Sequence, residues 1–326
     1  MQAEGVSGWG PNGIDIPRNQ AGQNPQHLLA SLLGEYFDSP EADLPSAAVV
    51  AMLAEFGISE SSARSALSRL SRRGLLAGRR VGRQSTYHLT QRAIASHHWY
   101  MHRFLTFGAE PPPWTGDWTV VAFSLPEPGQ ARRHLVRRAL ADLGFVRLYD
   151  SVWIRPGCDT PTARRAMGEI LGDVDRARWS VMCARFDEEA GAGGPAAAYD
   201  LDRLAVGYRA FIDRYRGLRD DVRAGRVDTA TAFVARTSVM DAWRSLVLAD
   251  PDLPEQLLPA PWPRRCAREI FLDIHSELGP LAEARLVEVT TPYWPAAASW
   301  VTHFRLSKDS ACGIRGGTTD GDATRS

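Results

Sequence analysis

A three-residue turn, Gly57-Ile58-Ser59, joins two short helical runs, and no other feature of the sequence narrows the fold as far. Pro45 and Ser46 open the first run, 47–56, and Gly57 ends it, since glycine tolerates the left-handed conformation of a helix C-cap. Ser59 stands where a hydroxyl can accept from a free first-turn amide of the second run, 60–73. Gly74 stops that run. Two helices joined in this way make a helix-turn-helix. Residues 75–77 and 85–89 then flank Gly78-Arg79-Arg80-Val81-Gly82-Arg83, two strand runs around a glycine-punctuated basic tip, which is the pattern of a wing. Thr90 can cap a further helix from Gln91 toward Phe104, and apolar spacing predicts another helix over 26–37. Residues 25–107 therefore read as a winged helix-turn-helix with a connecting helix.

Charge indicates which face of this unit matters. From Ile58 to Arg103, nine arginines (64, 69, 72, 73, 79, 80, 83, 92 and 103) stand against one acid, Glu60. From His27 to Gly57 there are five acids (35, 38, 41, 43 and 55) and no lysine or arginine. The whole chain balances 38 basic against 38 acidic residues, which excludes a uniformly basic coat protein. In the second helix Ala63, Ala66, Leu67 and Leu70 form the inward stripe, leaving Ser61, Ser62, Arg64, Ser65, Ser68, Arg69 and Arg72 to face outward. Small hydroxyl donors let a backbone come close, while arginine can fork onto guanine O6/N7 or bind phosphate. Arg79, Arg80 and Arg83, at the expected hairpin tip, suit phosphates or the adjacent minor groove. Any one of these arginines is ordinary on a solvated surface; as a set they predict an interface for double-stranded DNA. Lys308 is the only lysine, an arginine bias that a GC-rich genome would produce by itself.

The rest of the chain divides at two stretches rich in proline or glycine, 110–114 and 189–198. Between them a strand (118–125), helix (130–143), two strands (145–148 and 151–155), helix (161–171) and strand (178–186) predict a ferredoxin-like βαββαβ sandwich over 114–187. On its first helix Leu135, Ala139 and Leu143 are expected to face inward. Arg132, Arg133, Arg137 and Arg138 would then form a second basic cluster, able to meet phosphates or simply to face water. Apolar positions 201, 204, 205, 208, 211, 212, 215 and 218 mark one helical stripe. Further helices are expected over 229–248 and, after a proline-rich bend, over 264–278. Residues 199–304 thus read as a mostly helical unit. The fold class is α+β and multidomain. Residues 1–24 and 305–326, which lack an apolar period, are expected to be disordered.

Four scattered cysteines, Cys158, Cys183, Cys266 and Cys312, make neither a disulfide framework nor a metal knuckle, so reduced thiols are expected. No apolar run is long enough to span a bilayer, and the first residues lack the order of a secretory signal, which points to the cytoplasm. His97, His98 and His102 have aromatic rather than acidic neighbours and are expected to pack between domains. The tryptophans at 114, 118, 153, 179, 243 and 262 are expected in cores and joints. There is no P-loop, no G-x-S-x-G and no strand-borne G-x-G-x-x-G, so neither catalysis nor a cofactor is expected.

Three segments carry a family resemblance. GISESSARSALSRLSRRGLLAGRRVGRQSTYHLT (57–90) resembles the DNA-binding part of the PaaX family, repressors of phenylacetate catabolism. WTVVAFSLPEPGQARRHLVRRALADLGFVRLYDSVWIRPG (118–157) is similar to that family's central domain, and LADPDLPEQLLPAPWPRRCAREIF (248–271) to its third-domain signature. The resemblance implies a homodimeric repressor released from its operator by a small effector, an aryl-acyl-CoA thioester such as phenylacetyl-CoA, although members of the family serve other pathways. The central domain also resembles a small CRISPR-associated endonuclease in which an aspartate ends the first strand. Ser124 stands in that place and offers a divalent cation no charged ligand.

Two protomers reading successive major grooves would require an inverted-repeat operator with half-sites about 34–36 Å apart, or a multiple of that. Other readings stay open from the residues alone. One is an enzyme on the central domain, either a metal-dependent nuclease or a CoA-thioester enzyme. The others are a transcriptional activator and a scaffold whose winged helix meets protein. The sequence leaves the effector pocket and the dimer surface unassigned.

Overall fold

The computed structural model describes residues 24–81, 84–110, 113–126, 130–172, 174, 176–186 and 194–305. The ends expected to be disordered lie outside these residues, apart from Asn24 and Arg305. So do residues 111–112 and 189–193 of the two expected joints.

The N-terminal elements are α1 (Pro25–Tyr36), β1 (Leu44–Pro45), α2 (Ser46–Ala54), α3 (Glu60–Arg72), β2 (Leu76–Val81), β3 (Gln84–Leu89) and α4 (Gln91–Thr106). Local chemistry sets their ends. The Asn24 side chain accepts from the Gln26 amide at 3.0 Å, with Pro25 in the first turn of α1. Ser59 caps α3, and Thr90 caps α4 by accepting from the Ala93 amide at 3.2 Å. Gly57 and Gly74 both have φ of +72°, which permits the sharp exits from α2 and α3. The hairpin differs from expectation. β2 continues through Arg79 and Arg80, opposite Thr86 and Ser85 of β3, so both arginines are strand residues rather than tip residues. Arg83 lies outside the described residues. β1, too short to show a period in sequence, pairs with β3 and completes a three-stranded antiparallel sheet in the order β1-β3-β2.

The central elements are β4 (Trp118–Ser124), α5 (Gln130–Asp142), β5 (Val146–Tyr149), β6 (Val152–Pro156), α6 (Thr160–Leu171) and β7 (Arg178–Ala184). Their antiparallel sheet has the order β5-β6-β4-β7, as in a ferredoxin-like sandwich. Val121, Phe123 and Val181 face the two helices and pack on Val136, Leu140, Met167 and Leu171. The expected inward stripe of α5 is corrected: Leu135 is 48% exposed, and Val136 and Leu140 are buried instead. In this phase Arg132 and Arg133 donate to the carbonyls of Ile170 at 2.8 Å and Leu125 at 2.9 Å. The expectation of reduced thiols fails for one pair, because Cys158 and Cys183 form a disulfide. Their separation of 25 residues gave no hint of it; the sheet order creates the proximity.

A 3-10 turn at Pro195–Ala198 leads into α7 (Leu201–Arg223) and α8 (Thr229–Ala249). After a second 3-10 turn at Glu255–Leu257 come α9 (Arg264–Glu277), α10 (Gly279–Thr290) and the short α11 (Ala297–Trp300). α10 was not foreseen. Pro280 is tolerated in its first turn, and Gly279 is required because a Cβ there would overlap the ring of His303.

The N-terminal and C-terminal elements do not close separate cores. One buried cluster joins Leu32, Leu53, Leu67 and Leu70 to Phe233 of α8, Leu286 of α10 and Trp294. A second gathers Tyr100, Met101 and Phe104 of α4 with α7, α8 and α9 around Trp243, whose indole N–H donates to the Phe104 carbonyl at 2.8 Å. Ion pairs cross the same boundary. Glu35 meets Arg236 at 2.5 Å with both side chains fully buried, and Glu55 meets Arg285 at 2.8 Å. His27 meets Asp241 at 2.7 Å, beside Arg244. The acid-rich stretch before Gly57 thus docks the N-terminal elements onto arginines of α8 and α10. The second face of the central sheet, with Trp118, Val120 and Ile154, packs on Tyr199 and Leu253.

Candidate nucleic-acid interface

α3 projects its polar face to solvent because its apolar stripe is used up inside. Ala63, Ala66, Leu67 and Leu70 are each at most 2% exposed. Ser61, Arg64, Ser65, Ser68, Arg69 and Arg72 are exposed, and Ser62 is half-buried. At 13 residues, α3 is about 20 Å long, and a helix of this diameter fits the major groove of B-DNA.

The polar groups on this face differ in their availability. Ser59 Oγ sits 3.2 Å from Ser61 Oγ and donates to Ser62 Oγ at 3.0 Å, so three hydroxyls cluster at the positive end of the helix dipole. Arg64 is tied to Glu60 one turn back at 2.7 Å, which neutralises the only acid of this face. Arg69 and Arg72 are exposed and have no carboxylate partner among the described residues. On the hairpin, Arg79 pairs with Asp43 at 2.6 Å, whereas Arg80 is exposed and has no such partner among the described residues. The structure therefore brings Ser61, Ser62, Arg64, Ser65, Ser68, Arg69 and Arg72 onto one face. It places Arg79 and Arg80 on the neighbouring strand.

Sequence reasoning missed the contribution of α1. Asn24, Pro25 and Gln26 line a cleft of about 280 Å³ together with Ser61, Ser62, Ser65 and Arg69. The first turn of α1 thus opens beside the outward face of α3, and two helix N-termini meet at the cleft, each with one first-turn amide already capped, by Asn24 in α1 and by Ser59 in α3. The Asn24-Pro25 pair, a cap followed by a first-turn proline, was the available signal.

The other candidates lead elsewhere. Arg132 and Arg133 are engaged with backbone carbonyls, whereas Arg137 is exposed and Arg138, also exposed, lies 4.0 Å from Asp142, so half of the second basic cluster is taken up internally and half faces water. His97 is buried against Gly34, and burial lowers its pKa to about 4. The ring of His98 stacks edge-on against Phe304 at 5.6 Å. Among the described residues, no three His, Cys, Asp or Glu side chains gather where a metal ion could be held. Ser124 ends β4, exposed and opposite Arg178.

Three family models match in chain order: PaaX-like protein over 24–93, PaaX protein central Cas2-like domain over 111–176, and PaaX-like protein C-terminal domain over 199–288. Together they cover more than two thirds of the chain. The chain belongs to the PaaX family. It is 27% identical over 273 residues to the transcriptional repressor PaaX of Escherichia coli (strain K12), covering 80% of this chain and 82% of that one. Among solved structures it resembles an uncharacterized protein, Rv0674, from Mycobacterium tuberculosis, with a TM-score of 0.51 and 23% identity over 80% of this chain and 97% of that chain. That likeness concerns the fold alone. The first PaaX match covers α1 to the start of α4, and so every described element of the candidate interface.

Proposed function

We propose that this chain is a transcriptional repressor that binds double-stranded DNA through a winged helix-turn-helix, with α2 and α3 as the paired helices and β2–β3 as the wing. The carrying observation is the outward face of α3, where Arg69 and Arg72 stand exposed amid serines, with no carboxylate partner among the described residues and with the N-terminus of α1 beside them. Phosphate contacts from the arginines and helix N-termini supply affinity and register, and the side chains reaching base edges supply choice. The similarity to a transcriptional repressor supports regulation rather than catalysis. No described helix is long and apolar enough to cross a membrane.

On this reading the working units are the winged helix-turn-helix of 25–107, the ferredoxin-like unit of 114–187 and the helical unit of 199–304. The protein acts as a homodimer on an inverted-repeat operator and is released by a small effector, for which an aryl-acyl-CoA thioester such as phenylacetyl-CoA is the first candidate. Release requires only that the effector bind better to a conformation with the wrong half-site spacing. The shared cores between the N-terminal and C-terminal elements give such a change a mechanical route to α3.

The test is a gel-shift titration of the full chain on DNA upstream of its own and neighbouring genes, with and without candidate thioesters. A retarded band that Arg69→Ala weakens, and that a thioester dissolves, supports the reading. Binding unaffected by Arg69→Ala and Arg72→Ala together would remove α3 as the reading helix.

A further inference from the structure

The bond between Cys158 and Cys183 joins segments that are not sheet neighbours. β4 lies between β6 and β7, so the bridge passes over the end of β4, where Thr119 faces Arg155 on one side and Cys183 on the other. The two Cα atoms are 5.4 Å apart, within the ordinary range for a disulfide. Both residues are exposed, so an attacking thiolate can reach the sulfurs. The loop carrying Cys158 is anchored without the sulfur bond. Thr119 Oγ1 donates to the Gly157 carbonyl at 2.5 Å and accepts from the Asp159 amide at 2.9 Å. Asp159 in turn caps α6 and pairs with Arg155 at 2.9 Å. Opening the bridge therefore leaves the two thiols close together and able to close again.

The bridge also adjoins the docking surface of the central unit. Ala184, next to Cys183, is paired with Trp118. Trp118 packs edge-on against Trp114 at 5.9 Å and Phe186 at 6.1 Å, within the cluster that seats the sheet on Tyr199 and Leu253.

We propose that Cys158 and Cys183 form a reversible redox modification site whose state sets how firmly the central unit is docked, and through it the affinity for operator. To open it, one thiolate of a dithiol reductant attacks a sulfur of the bridge, and the other sulfur leaves as a thiolate and takes a proton. The second thiol of the reductant then resolves the mixed disulfide, so the reductant ends as a disulfide and the protein holds two thiols. Closure runs the same exchange backwards, with glutathione disulfide accepting the two electrons. The effect on operator rests on the DNA-binding reading; the redox site and its effect on docking do not.

The full chain is equilibrated with glutathione disulfide or with dithiothreitol, blocked with iodoacetamide, digested and weighed. Hydrogen exchange and operator binding are measured on both forms and on Cys183→Ser. The oxidised form should yield a cross-linked peptide that dithiothreitol abolishes. In the reduced form the amides of β7 and of 114–118 should exchange about tenfold faster or more. Operator affinity should differ by about fivefold or more between the two forms, and not at all for Cys183→Ser. Absence of the cross-link at every oxidant concentration, or identical exchange in both forms, overturns the proposal. Equal operator affinity alongside different exchange overturns its regulatory arm. If neither form binds operator while exchange differs, the DNA-binding reading fails and the redox site stands.

Discussion

Arg69 and Arg72 stand exposed on α3 without a carboxylate partner among the described residues, whereas Arg64 is held by Glu60 at 2.7 Å. An arginine that must leave a partner before meeting DNA gains less on binding, so the three are not equivalent. Arg69→Ala is expected to weaken operator binding by about 1–3 kcal/mol if its fork meets a base edge. Arg64→Ala should cost less, and Glu60→Gln should tighten binding to any duplex; fluorescence anisotropy on specific and scrambled DNA checks all three. A second residue-scale prediction concerns acid. Burial lowers the pKa of His97 and of His275 to about 4, with Arg236 adding to the effect on His275. An unfolded histidine takes its proton near 6.5, so between these values the unfolded chain binds more protons than the native one. Stability is then complete above about pH 6.5 and falls as pH drops toward about 4. Denaturant midpoints across that window should decline for the native chain and decline less for His97→Leu.

Among the elements, the joint of α1 with α8 carries the largest single electrostatic commitment. Glu35 and Arg236 are fully buried, and Arg236 also donates from Nε to the His275 carbonyl at 3.0 Å. Burial pushes the neighbouring Tyr36 phenol up to about 12, against the pull of Arg236. Arg236→Met would leave the Glu35 carboxylate buried and unpaired, at a cost of about 3–5 kcal/mol in unfolding free energy. The double variant Glu35→Leu with Arg236→Met should recover much of that loss, and the thermodynamic cycle measures the coupling. The pair Glu55–Arg285, with side chains 19% and 24% exposed, should be worth only about 0–1 kcal/mol by the same cycle. Equal losses at the two pairs would contradict this ranking of the joint.

For the whole molecule, binding that depends on phosphate contacts must weaken with salt, with log K falling by about 0.9 per log unit of salt for each phosphate neutralised. The double variant Arg69→Ala with Arg72→Ala should flatten that slope by up to about two such contacts, read from titrations at several salt concentrations. The net charge of zero hides this, because the acids are spent elsewhere. Helix ends, the exits at Gly57 and Gly74, the buried stripe of α3 and the succession of strands and helices along the central unit were all legible in the sequence, since they follow from rules that act over a few residues: caps, turns and periods. The phase of α5 was misread because two apolar stripes overlap in its sequence: Val136, Leu140 and Leu143 recur at helical spacing as Leu135, Ala139 and Leu143 do, and packing against the central sheet and α6 selects the first. The use of the acids, and which arginines remain open, was settled only when distant segments met. Asp43 reaches Arg79 across 36 residues and Glu35 reaches Arg236 across 201. The first contact reduces the basic ribbon and the second fastens the N-terminal elements to the C-terminal helices. By itself the sequence determined a basic helix and hairpin ahead of an α+β sandwich and a run of long helices. Tertiary structure decided which of their charges face water, because an ion pair depends on where two chain segments come to lie, which no local period encodes.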